Sequence, residues 1–127
     1  MKIASTIARY LMGIIFIVFG LNGFLNFLPA PPVPGLGGQF FGLLLTSHFM
    51  VPIFVIQLLC GVLFLVNRYV PLALTFIGPV IFNVLLFHIL MNPSGIGPGA
   101  LVTVCWFLVF YRYRSAFDGI LRDASRT

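Results

Sequence analysis

Charge is almost missing from this chain. Only 7% of its 127 residues are Asp, Glu, Lys or Arg, and there is none from Tyr10 to Asn67 or from Tyr69 to Tyr111. A soluble domain exposes charged groups every few residues, so two uncharged stretches of that length exclude a water-facing surface. Both acidic residues, Asp118 and Asp123, fall close to the C-terminus. No carboxylate is therefore available inside the apolar stretches for acid–base work or metal ligation. The two cysteines, Cys60 and Cys105, form no C-x-x-C. The two histidines, His48 and His88, stand at no ligand spacing; a bis-histidine haem would be their one joint use, and nothing else supports it. A Ser/His/Asp set and a Gly-rich phosphate loop are absent too. Hydrolysis, phosphoryl transfer and a metal site find no support, and the protein reads as a non-enzyme. The formal charge of +5 does not point to nucleic acid either, because the basic residues are scattered beside apolar runs.

What the chain has is apolar length. Hydrophobic residues make up 61% of it, with 15 phenylalanines. Each uncharged stretch suffices for two crossings of a hydrocarbon core at about 20 residues per helix. The expected fold is an all-α, four-helix transmembrane bundle forming a single domain over residues 1–127. Its helices are expected at about 6–28, 49–66, 70–91 and 100–113, with a polar tail over 114–127. The first loop, Pro29 to Gly38, holds four prolines and three glycines and reads as non-helical. Residues 39–47 are too short to span and read as an extra interfacial helix between the first two spans. Asn67-Arg68 is a minimal turn, which makes the helices on either side antiparallel neighbours. A signal peptide is disfavoured: a cut after Ala30 would put Leu28 at −3 and Pro31 next, with no A-x-A pattern.

The few basic residues set the orientation. Lys2, Arg9, Arg68, Arg112, Arg114, Arg122 and Arg126 all lie on the two termini or the 67–69 turn, and none on the 29–48 or 92–99 loops. The positive-inside rule then places both termini in the cytoplasm. All four tyrosines adjoin arginines, as expected where ring and guanidinium share the interface.

The polar side chains within the spans are the candidate site. Asn22, Gln57, Asn83 and His88 fall at or beyond the midplane on the outer side, so a cavity formed by them would open outward. Two roles fit them: interhelical hydrogen bonds, at about 0.6–2 kcal/mol each, or the lining of a ligand site. Asn83 and His88 are five apart, roughly 140° around a helix, whereas His88 aligns with Asn92. Gly78-Pro79 breaks the third span's hydrogen-bond ladder, since Pro79 cannot donate to the Thr75 carbonyl. Gly13 and Gly20 suit close helix approach. Cys60 and Cys105 sit near mid-span, either as packing side chains or as a redox pair.

Arg9-x3-Gly13-x6-Gly20-Leu21-Asn22-Gly23-Phe24, with the Leu28-Pro29 stop, resembles the first-helix signature of the DoxX-like family. Gln57-x3-Gly61 and Pro79-x3-Asn83-x3-Phe87-His88 resemble one branch of it, and the resemblance runs from Arg9 to about Phe117. It implies a four-helix protein of the bacterial plasma membrane, associated with respiratory or thiol-redox systems. Many members carry Lys at the position of Gly23 and Glu at that of Gln57, and both charges are missing here. Three functions are in view. The first is an accessory or assembly subunit whose partners are the lipid bilayer and other membrane proteins. The second is a binder of a quinone or small lipophile in an outward-facing pocket. The third is a small transporter or channel, built as a homo-oligomer.

Overall fold

The computed structural model describes residues 2–29 and 32–123. Arg126 of the tail and Ala30-Pro31 of the first loop lie outside the described residues. The chain forms five α-helices: α1 Lys2–Leu25, α2 Gly35–Thr46, α3 Met50–Val66, α4 Val70–Leu90 and α5 Ile96–Tyr113. Short 3-10 turns, Pro93–Gly95 and Arg114–Phe117, flank α5. No strand occurs among the described residues. Three helical stretches are each long and apolar enough to cross a membrane: Lys2–Leu25, Val70–Leu90 and Pro93–Phe117. The pair α2 and α3, bent by 84° at the break between them, makes a fourth if counted as one span.

The four long helices close into a ring in which α1 packs on α3, α3 on α4, α4 on α5 and α5 on α1. Inside it lies a core of Met12, Phe16, Phe64, Leu74, Ile77 and Val109, all buried. On α1 the buried positions Arg9, Met12, Gly13, Phe16 and Gly20 recur every three or four residues, which keeps one stripe of the helix turned inward.

Several ends differ from the sequence expectation for identifiable reasons. Helix α1 stops at Leu25 rather than Leu28, because Asn26 turns left-handed at φ 51° and the Asn22 side chain accepts the Leu28 N–H. Left-handed backbone is a common helix terminator and Asn tolerates it well. The glycines of the first loop do not exclude helix. Instead α2 begins among them at Gly35, because Gly37 is buried where a methyl would come within 3.1 Å of the Met91 carbonyl. Helix α5 starts at Ile96 rather than Ala100, since Pro98 sits in the first turn, where its N–H is not needed. The α3–α4 turn is as short as expected, with Asn67 and Tyr69 both left-handed.

Candidate functional site

The tightest contact in the bundle is between α1 and α3. A methyl on Gly61 would meet Ile17 Cγ1 at 2.7 Å and the Gly13 carbonyl at 2.9 Å, and one on Gly20 the Phe54 carbonyl at 3.1 Å. Gly13 and Gly20 thus do what their spacing suggested, and Gly61 is their counterpart. At the end of this seam nearest the N-terminus Arg9 is buried, and its Nη1 donates to the Phe64 carbonyl. That carbonyl is open because the Arg68 N–H, its expected helical donor, turns to the Leu63 carbonyl instead. The guanidinium also lies over the Tyr10 ring, 4.5 Å from its centroid. Arg9 therefore does more than mark topology: it ties α1 to the C-terminus of α3. Its sequence signal was its place on the stripe with Gly13, Phe16 and Gly20.

The four candidate ligand-binding residues do not converge on one cavity. Asn22, half-buried, is engaged with Leu28, its Oδ1 accepting that N–H at 2.8 Å. Gln57 is buried on α3, and its Oε1 has no hydrogen-bond partner. Asn83 is exposed on α4, and its Nδ2 donates to the Pro79 carbonyl at 2.8 Å. His88 sits in the last turn of α4 with Nδ1 2.8 Å from the Val84 carbonyl. The expected alignment of His88 with Asn92 is realised, since both side chains stand against Gly95. Beside His88, Phe87 gathers rings from α2 that sequence spacing did not bring to it. Phe87 meets the imidazole edge-on at 5.2 Å, and Phe40 and Phe41 of α2 lie 6.1 and 6.0 Å from Phe87.

Gly78-Pro79 lies inside α4, which stays helical from Val70 to Leu90, so the missing Pro79 N–H interrupts the ladder at one bond without ending the helix. Trp106 of α5 lies against Gly78, and its indole N–H donates to the Leu74 carbonyl at 3.0 Å. Beside it a cleft of ≈ 290 Å³ opens between α4 and α5, lined by Ile81, Phe82, Leu85, Thr103 and Phe107 as well as Gly78 and Trp106. The hydroxyl of Thr103 is turned to the Gly99 carbonyl, so the cleft's surface is almost entirely apolar. A second hollow, of ≈ 340 Å³, lies at the C-terminal end of α5 beside Arg114 and Asp118.

Cys60 and Cys105 are both free and buried in the core. Among the described residues no three of His, Cys, Asp or Glu gather as a metal site. No family model, no curated protein and no solved structure matches the chain.

Proposed function

We propose that the protein is a four-crossing membrane protein with both termini in the cytoplasm, acting as a non-catalytic accessory or assembly subunit bound to other membrane proteins. The observation that carries this reading is where the polar side chains go. Asn22, Asn83 and His88 each bond a main-chain atom within six residues of themselves rather than facing a common cavity. Around them the helices present large apolar side chains outward, such as Leu59, Phe76, Phe82 and Phe107. Such a surface suits contact with lipid and with other apolar helices.

Support for four crossings comes from α3. Its 17 residues rise about 25 Å, close to the ~30 Å of a hydrocarbon core, and α2 then turns aside at 84°. The exposed Leu36 and Leu43 of α2 suit a helix lying at the outer boundary. The DoxX-like motifs add the bacterial plasma membrane and a link to respiratory or thiol-redox systems to this reading. Topology is tested by single cysteines: Ser94→Cys should react with an impermeant maleimide on intact cells, and Ser115→Cys only after permeabilisation. Function is tested by purification in mild detergent. A different membrane protein should copurify in stoichiometric amount, and repeated isolation without one sinks the accessory role.

One observation favours a second reading, a site for a hydroxyl-bearing lipophile such as a quinol. A carbonyl can only accept, so His88 Nδ1 carries the proton that bonds Val84. In the neutral ring Nε2 is then an acceptor, beside Gly95 and near the Asn92 amide, with the Phe87 ring edge-on to the imidazole. Mass spectrometry of lipids retained by wild type and His88→Leu decides it. An unchanged set removes this reading.

A further inference from the structure

Helix α4 buries Val70, Ala73, Leu74, Ile77 and Ile81 in the bundle. Its opposite side carries a second regular stripe: Leu72, Phe76, Pro79, Asn83, Leu86 and Leu90, every one of them exposed. The spacing alternates four and three, so the six positions stay within about 40° of one line along the helix. That is the seam spacing of a left-handed helix pair. Apolar residues at these positions also suit lipid, so the informative member of the stripe is the amide.

Asn83 is the fourteenth residue of 21 in α4, three positions past its centre. On the topology proposed above it lies within the hydrocarbon, about 4.5 Å from mid-span. A primary amide has two N–H donors and an oxygen acceptor. One N–H goes to the Pro79 carbonyl. The other N–H and Oδ1 have no bond within the described residues and face outward, where lipid offers no partner. Leaving them unbonded there is costly.

We infer that two copies of this chain pair along this outward face of α4, the two Asn83 carboxamides bonded to each other. The reason for a second copy rather than an unrelated helix is self-complementarity. Two identical chains of the same orientation in one membrane are related by a two-fold axis along the membrane normal. That axis sets each residue of the central stripe opposite itself, at the same depth. The remaining N–H and Oδ1 of one Asn83 then meet the Oδ1 and N–H of the other, and two bonds close at once. The flanking side chains Phe76, Leu86 and Leu90 fill the seam above and below. A single Asn in an otherwise apolar seam also sets register and favours a defined pair.

The inference rests on the membrane reading, and the test separates the two. In native membranes, Leu86→Cys should form a disulfide-linked dimer on mild oxidation, while Leu59→Cys, on α3 and more exposed than Leu86, should not. In detergent titrations Asn83→Leu should weaken self-association about tenfold, with Asn83→Gln restoring most of it. The exposed position makes Asn83→Leu neutral for folding; should it fail to fold, the cysteine pair on the unaltered Asn83 decides alone. Equal cross-linking at Leu59→Cys and Leu86→Cys, or undiminished association of a folded Asn83→Leu, overturns the pairing. A monomer that resists alkaline carbonate extraction overturns the pairing and leaves the topology standing. Release of the protein by carbonate overturns both.

Discussion

Two seams face each other across the ring, α1 against α3 and α4 against α5, and they are held together by different means. On the first, backbone meets backbone: a methyl on Gly61 would press on the Gly13 carbonyl and on Ile17 N at 3.1 Å. On the second, the same methyl added at Gly78 would find Trp106 at 3.7 Å, an ordinary contact, and a cleft of ≈ 290 Å³ lies alongside. The close seam is held by dispersion over a flat glycine surface and, at the end nearest the N-terminus, by Arg9 on the Phe64 carbonyl. The open seam is filled by large rings, with Trp106 stacked on Phe110 at 5.2 Å and bonded to Leu74. In an apolar solvent, burial of apolar surface gives helices little reason to associate. A seam must gain either close packing or a polar bond, and this bundle uses one solution on each side.

That contrast is open to attack in order of expected effect. Gly61→Val puts a branched side chain against Ile17 Cγ1 and the Gly13 carbonyl, and should cost about 3 kcal/mol. Unfolding by SDS, followed by circular dichroism, reads the loss; unchanged stability would mean the α1–α3 seam is not close. Arg9→Leu removes a charged donor from the Phe64 carbonyl and should cost about 2 kcal/mol by the same assay. Arg9→Lys should recover part of that, because an ammonium can still donate but cannot lie flat over Tyr10. Trp106→Phe keeps a ring in the open seam while deleting its one bond to Leu74, for about 1 kcal/mol. Gly78→Ala is the smallest change. With free space and a better helix former, it should shift stability by no more than about 0.5 kcal/mol, and upward if at all. A loss above about 1 kcal/mol at Gly78 would make the two seams alike.

Much of this architecture was legible along the chain. The helical runs follow from apolar stretches too long for a water-facing surface, and the turn at Asn67-Arg68 left no room for anything but a hairpin. Gly13 and Gly20 announced a close seam because seven residues return to nearly the same side of a helix. Other features were hidden in plain composition. The first loop's glycines looked like helix breakers, yet α2 starts among them at Gly35, and the absence of a Cβ at Gly37 lets its first turn rest on Met91. Arg9 looked like a boundary marker, and its burial depends on a carbonyl 55 residues away that the α3 cap leaves open.

The candidate site shows the limit most clearly. Spacing put Asn22, Asn83 and His88 toward one end of the bundle with Gln57 near mid-span, and it set Asn83 and His88 on different sides of one helix. It could not say which way each helix is rotated about its axis. That rotation turns Gln57 inward and Asn83 outward, and it brings Phe40 and Phe41 toward Phe87.

The sequence by itself determined an all-helical chain, its apolar spans and the one-sided placement of its charges. Those properties follow from local periodicity and from the solvation cost of charge, which a linear pattern records. Tertiary structure alone decided which seam is close and which is open, which amide is buried and which is presented outward, and where Arg9 finds its acceptor. Each of those depends on how two helices are rotated against each other, a choice made by the packing of both surfaces at once.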